Sequence, residues 1–199
     1  MRRHKLLVGV GCLLLLFLCV KKGKQVCHYE LFIPNQEPKV VWDVLADFSN
    51  IARMNTRITQ WQLVDETGDM DRWSYRLITH EGMVGDWLFG PNVNTGEVVV
   101  EPVAPPDHYY RQEVYVTESF RGLMTIHNSG TMNLHRSTSQ QQQQQPPQQQ
   151  EQGIPGTLLL HTTTSDCPLI FHWLCILETN FNRRVFLENL RKWFDKISK

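Results

Sequence analysis

The stretch that most restricts the fold lies at residues 169–198, LIFHWLCILETNFNRRVFLENLRKWFDKIS, which contains neither proline nor glycine. Asp166 fits an N-cap and Pro168 a first helical turn. One long helix is predicted, and its apolar residues form two stripes. Ile170, Leu174, Leu177, Phe181 and Val185 make the first; Phe186, Leu190, Trp193 and Ile197 make the second. At 100° per residue the two are rotated by about a third of a turn. A helix packed on one surface along its whole length needs one continuous stripe, so its halves meet different surroundings. Extended backward, the second stripe runs through Asn182, Thr179, Cys175 and His172. That small, polar track suits the border of a solvated or ligand-filled space.

The surface under this helix has to be sheet, because the chain before it reads mainly as strands. QVCHYELFIP alternates with Cys27, Tyr29, Leu31 and Ile33 on one side, and ITQWQLVDE and RWSYRLITH flank a turn-like TGDMD. Further runs follow at GMVGDWLF, GEVVVEPV, YYRQEVYVTESF, GLMTIHNSGTMNLH and GTLLLHTTTS. They make about eight short strands in a meander. An earlier helix falls at PKVVWDVLADF, with Pro38 in its first turn and Val40, Val41, Val44, Leu45 and Phe48 on one face. The segment STSQQQQQQPPQQQEQG, residues 137–153, cannot join a core; it is expected to be a disordered surface loop between two strands, a neutral repeat expansion or an interaction tract. Twenty basic residues balance 20 acidic ones, which leaves no electrostatic footprint for nucleic acid.

At the other end, RRHKLLVGVGCLLLLFLCVKKGK holds an apolar run, residues 6–20, between two basic clusters. The run is shorter than the roughly 20 residues that cross a bilayer comfortably, and it resembles the apolar region of a signal peptide. No small-residue cleavage site follows; Lys21, Lys22 and Lys24 do. Residues 1–24 are therefore expected to be a retained single-pass anchor, suited to the thinner endoplasmic reticulum membrane. Basic residues nearly balance across the run and give no orientation. The absence of an N-x-S/T sequon beyond it, and an odd set of Cys27, Cys167 and Cys175, point to a cytosolic domain with reduced thiols; a Cys27–Cys167 bridge in an oxidising lumen is the alternative.

Strand, helix, antiparallel meander and long terminal helix follow the order of the helix-grip fold, of α+β class. Residues 25–199 resemble the START-like superfamily of lipid-transfer domains, polyketide cyclases and related proteins. The resemblance rests on PKVVWDVLADFSNIARMN and on GTLLLHTTTSDCPLIFHWLCILETNFNRRVFLENLRKWF. It implies a curved sheet gripping the helix around an apolar cavity for a sterol, lipid or other hydrophobic molecule, with no invariant catalytic motif to carry over. In that cavity's wall we place Trp61, Tyr75, Leu77, Trp87, Tyr115, Met124, Leu174, Leu177 and Phe181, with Arg76, His80 and His161 as candidate polar contacts. Six Trp and nine Phe are also enough to plug such a space.

Enzyme chemistry is thinly represented. There is no H-E-x-x-H, no Cys-x-x-Cys, no glycine-rich phosphate loop and no G-x-S-x-G elbow, so neither a metal nor a cofactor is expected. HTTTSDC sets Ser165 and Asp166 near His161, yet strand alternation sends neighbours to opposite faces. The expected function is binding, and transfer, of a hydrophobic ligand near the membrane that anchors the domain. An aromatase/cyclase-type enzyme and a ligand-free interaction module are the alternatives.

Overall fold

The computed structural model describes Gly11 and residues 21–69, 72–83, 90–103, 107–138 and 154–197. Among them, seven antiparallel strands form one sheet: β1 (Lys22–Pro34), β2 (Ile58–Gly68), β3 (Trp73–Glu81), β4 (Asn92–Val103), β5 (His108–Ser119), β6 (Met124–Thr138) and β7 (Pro155–Pro168). Their order is β1-β7-β6-β5-β4-β3-β2, so the meander from β2 to β7 is closed by the first strand pairing with the last. Helices α1 (Pro38–Ala46) and α2 (Phe48–Met54) follow β1, and α3 (His172–Ile197) ends the described chain. This is an α+β arrangement, a sheet with one long helix across it.

The expected strand at GMVGDWLF lies mostly outside the described residues, with only Gly82 and Met83 inside and neither in a strand. The apolar run at residues 6–20 also lies outside them, apart from Gly11. Among the described residues no helix is long and apolar enough to cross a membrane. Of the glutamine-rich segment, Ser137 and Thr138 belong to β6, where they pair with Gly156 and Pro155, and residues 139–153 fall outside the description.

Two expectations for the terminal helix are corrected. Asp166 is not its N-cap: it sits in β7, paired with Lys24 on one side and His127 on the other. Nor does Pro168 stand in its first turn: the β6 ladder ends at Asp166, the β1 ladder carries β7 through Pro168, and a 3₁₀ turn at Leu169–Phe171 then leads into α3. The cysteine readings are replaced as well. Cys167 is joined to Cys175, tying the end of β7 to α3, and among the described residues Cys27 is the free thiol.

The core sits at one end of this grip. Leu45 and Val41 of α1, Phe48 and Ile51 of α2, and Phe186, Leu190 and Phe194 of α3 bury themselves on Leu77, Val98, Met132, Leu134 and Leu159 of the sheet. Trp42 stacks on Tyr109, and Asp47 caps α2 by accepting from the Ser49 N–H at 2.8 Å. Asn189 Nδ2 donates to the Met54 carbonyl at 2.8 Å, fixing α3 against α2. The second stripe of α3 thus meets the core through Phe186, Leu190 and Phe194. Trp193 is half-buried, and Ile197 is exposed at the helix end.

Candidate functional site: a cavity beneath the first half of the long helix

The face of α3 that fills the core with Phe186, Leu190 and Phe194 carries only Asn182, Thr179 and Cys175 farther back. Cys175 reaches the sheet only at the end of β7, through its bridge to Cys167, and between the short Asn182 and Thr179 side chains and the strands lies a cavity of about 180 Å³. Phe48, Ile51, Met124, Ile126 and Leu174 are among its apolar lining. Glu178 of the wall is held by Arg57, which donates to it at 2.6 Å and also to the Gly82 carbonyl.

The floor is polar and ordered. Asn94 Nδ2 donates to Thr79 Oγ1 at 3.1 Å, Thr117 Oγ1 to Asn94 Oδ1 at 2.6 Å, and Asn128 Nδ2 to Thr117 Oγ1 at 2.7 Å. The ladder crosses β3, β4, β5 and β6 and satisfies much of its own hydrogen-bonding capacity, the condition under which such groups tolerate burial. Beside it lies a charge cluster around Glu113. Arg183 of α3 donates to Glu113 Oε1 at 2.9 Å, while Arg111 Nη2 stands 3.6 Å from Oε2 and His161 Nε2 stands 3.7 Å from Oε1. Gly130 makes room for this carboxylate, since a Cβ there would lie 2.7 Å from Glu113 Oε1.

Burial raises the Glu113 carboxyl, but the Arg183 charge, the His161 ring and the Arg111 charge outweigh it and hold the group well below the usual carboxylate range. His161 moves the same way for a different reason: burial, seconded by the Arg183 charge, pushes it down to about 4. Its unfolded value is about 6.5, so the unfolded chain binds the extra proton first as pH falls. The stability from burying a neutral His161 is therefore present above about pH 6.5 and is lost progressively toward pH 4, by up to about 3 kcal/mol. Urea unfolding across that window should show a fall in stability that His161→Gln removes; parallel pH profiles for the two proteins would contradict this assignment. In the cavity wall, burial also raises the Glu81 carboxyl.

The residues expected from sequence divide among several places. Tyr115, Met124 and Leu174 line the cavity. Tyr75 and Leu77 belong to the packed core, and Trp87 lies outside the described residues. Trp61 is 43% exposed on the edge strand β2, edge-on to Phe48. Leu177 and Phe181 are 58% and 51% exposed, on the outer side of α3, with the Arg57 guanidinium 5.4 Å above the Phe181 ring. The first stripe thus splits, because Leu174 turns toward the cavity while Leu177 and Phe181 turn away. Arg76 is exposed and pairs with Asp65 at 2.7 Å; His80 is partly exposed on β3 next to the inward Thr79; His161 is buried behind Glu113, outside the cavity wall.

Sequence reasoning missed Arg111, Glu113, Asn94, Thr117, Asn128 and Arg183. For β5 the signal was present: if Tyr115 points inward, strand alternation also turns Arg111, Glu113 and Thr117 inward.

No family model and no curated protein matches the chain. Solved structures do. The Zhui aromatase/cyclase from Streptomyces sp. R1128 is similar over 89% of this chain and 97% of its own, at 11% identity and a TM-score of 0.55. The fold is the helix-grip fold. TTHA0849 from Thermus thermophilus is similar at 14% identity and a TM-score of 0.56, covering 88% of this chain and all of its own. The hypothetical protein jhp0584 from Helicobacter pylori is similar at 12% identity and a TM-score of 0.54, over 85% of this chain and 87% of its own. At these identities the likeness establishes the fold alone, and the chemistry must be read from this chain's own cavity.

Proposed function

We propose that the protein binds a compact, largely apolar small molecule in the cavity under the first half of α3, and that the N-terminal run holds the domain at a membrane. The observation carrying the first part is the cavity wall. Phe48, Ile51, Met132, Leu174 and Phe186 supply apolar surface, and a few fixed polar groups converge on the same space. That mixture is the usual makeup of a small-molecule site. At about 180 Å³ it falls below the roughly 300–1,000 Å³ of drug-sized pockets, which favours a compact ligand over an intact sterol or two-chain lipid.

Filling the space tests this. Thr179→Phe, on the cavity side of α3, should weaken binding of 2-naphthol, followed by its fluorescence, at least tenfold and shift the melting temperature by only a few degrees. Leu177→Phe, on the exposed side, should change neither. Undiminished binding by the Thr179 variant would contradict a cavity ligand.

The membrane part is supported by the basic flanks of residues 6–20 and by where the chain joins the domain. The Leu169 N–H donates to the Lys21 carbonyl at 2.9 Å, so the run connects beside the start of α3. The outer side of that helix half exposes Trp173, Leu177 and Phe181, whereas the later half exposes Arg184, Glu188 and Arg191. The Cys167–Cys175 bridge fits an oxidising compartment and favours a lumenal domain over a cytosolic one. The full-length protein should stay with membranes through carbonate extraction and retain its N-terminal peptide; release into the supernatant would reject the anchor.

A second reading, a cyclase-type enzyme, draws on Glu81. Burial pushes this wall carboxyl toward its protonated form, which would place a general acid beside a bound substrate. Turnover abolished by Glu81→Gln would favour it.

A further inference from the structure

The charges in the cavity wall are unequally matched. Arg111 and Arg183 share the single carboxylate of Glu113, and the wall's Glu178 is matched from outside it by Arg57. Glu81 forms no ion pair within 4.0 Å with a described residue, and burial raises its carboxyl above the usual carboxylate range. His161 is neutral near pH 7.

Arg183 is committed to Glu113 at 2.9 Å. Arg111 is not. Only 1% of it is exposed, and it lines the cavity; Nη1 donates to the Leu45 carbonyl, yet Nε and Nη2 have no hydrogen-bond partner among the described residues. Glu113 Oε2, 3.6 Å from Nη2, is too far for a hydrogen bond. Nε and Nη2 form one edge of the guanidinium, and that edge matches the two oxygens of a carboxylate. Leaving two buried donors unused is costly, and burying a charge without a full partner is costlier. The polar ladder on the floor is largely satisfied within itself and competes weakly for a ligand's head group.

We propose that the cavity takes its ligand as a compact apolar monocarboxylate, with the carboxylate held by the Nε and Nη2 edge of Arg111 and the hydrocarbon lying between Phe48, Ile51, Met132 and Phe186. The proposal rests on the cavity-binding reading above and narrows it to an anion. Other classes fit less well. An ammonium would meet Arg111 and Arg183, and a neutral alcohol would leave the guanidinium edge half used.

A head-group series on the full-length protein tests it at pH 7.5. Octanoate, octan-1-ol and octylamine share one chain and differ in charge. Octanoate, titrated with its carboxyl carbon labelled for NMR, should bind saturably and at least tenfold more tightly than either of the others. Arg111→Lys keeps the charge that Glu113 requires but loses the two-toothed edge, and it should weaken octanoate about tenfold without changing octan-1-ol. Equal binding of octanoate and octan-1-ol by the wild type would overturn the anion assignment and leave the cavity reading intact. Octanoate bound equally by wild type and the lysine variant would overturn the role of Arg111. Binding of none of the three, together with no uptake of 2-naphthol, would overturn both readings. If the lysine variant does not fold, the wild-type series alone decides between anion and neutral ligand.

Discussion

Truncating Phe194 to alanine should lower the stability of the domain by about 3–5 kcal/mol, the usual cost of emptying a fully buried phenylalanine site. Phe194 is 2% exposed and packs in the same cluster as Phe186 and Leu190. The loss is a large share of the roughly 5–15 kcal/mol that holds a domain together. It should appear as a shift in the urea midpoint with little change in slope. Trp193→Ala should cost less, since Trp193 is only half-buried beside that cluster. If Phe194→Ala costs no more than Trp193→Ala, the helix must be rotated about its axis so that Trp193, and not Phe194, faces the sheet.

Glu113→Ala should be comparably damaging for an electrostatic reason. Removing one partner of a buried ion pair typically costs about 3–5 kcal/mol, because the remaining charge is left without compensation. Here the stranded charge is Arg111, 1% exposed in the cavity wall. Arg183 can turn to solvent, being 25% exposed in its side chain. Because the cluster is buried, salt should screen it little, so the loss should persist at high ionic strength. Chemical unfolding of Glu113→Ala at low and high salt checks this, and a cost near zero would mean that the cluster contributes nothing to the fold.

Much of the architecture was legible in the sequence. Alternation and β-branched runs marked the strands, Pro38 marked the start of α1, and the run without proline or glycine marked α3. Its two stripes also announced that the halves of α3 have different neighbours, and the small track of Asn182, Thr179 and Cys175 is where the cavity opens. The end of β7 was not legible, because Asp166 and Pro168 satisfy local rules for a helix start while pairing with β1 and β6 overrides them. Leu177 and Phe181 misled for a related reason. An apolar residue on a long helix reads as inward, yet their side of α3 faces away from the sheet. Arg111 and Glu113 went unseen because charge on a strand ordinarily means solvent; only the parity of β5, fixed by its inward tyrosine, places them inside. The cysteine pairing depended on the close approach of the β7 end to α3, which sequence separation alone does not give.

Whether the cavity holds a small molecule is read out by native mass spectrometry of the full-length protein purified from its own cells. The wild-type chain should carry a low-mass adduct that disappears in Thr179→Phe. A bare chain mass for both proteins, with no adduct recovered on adding octanoate or 2-naphthol, would contradict it.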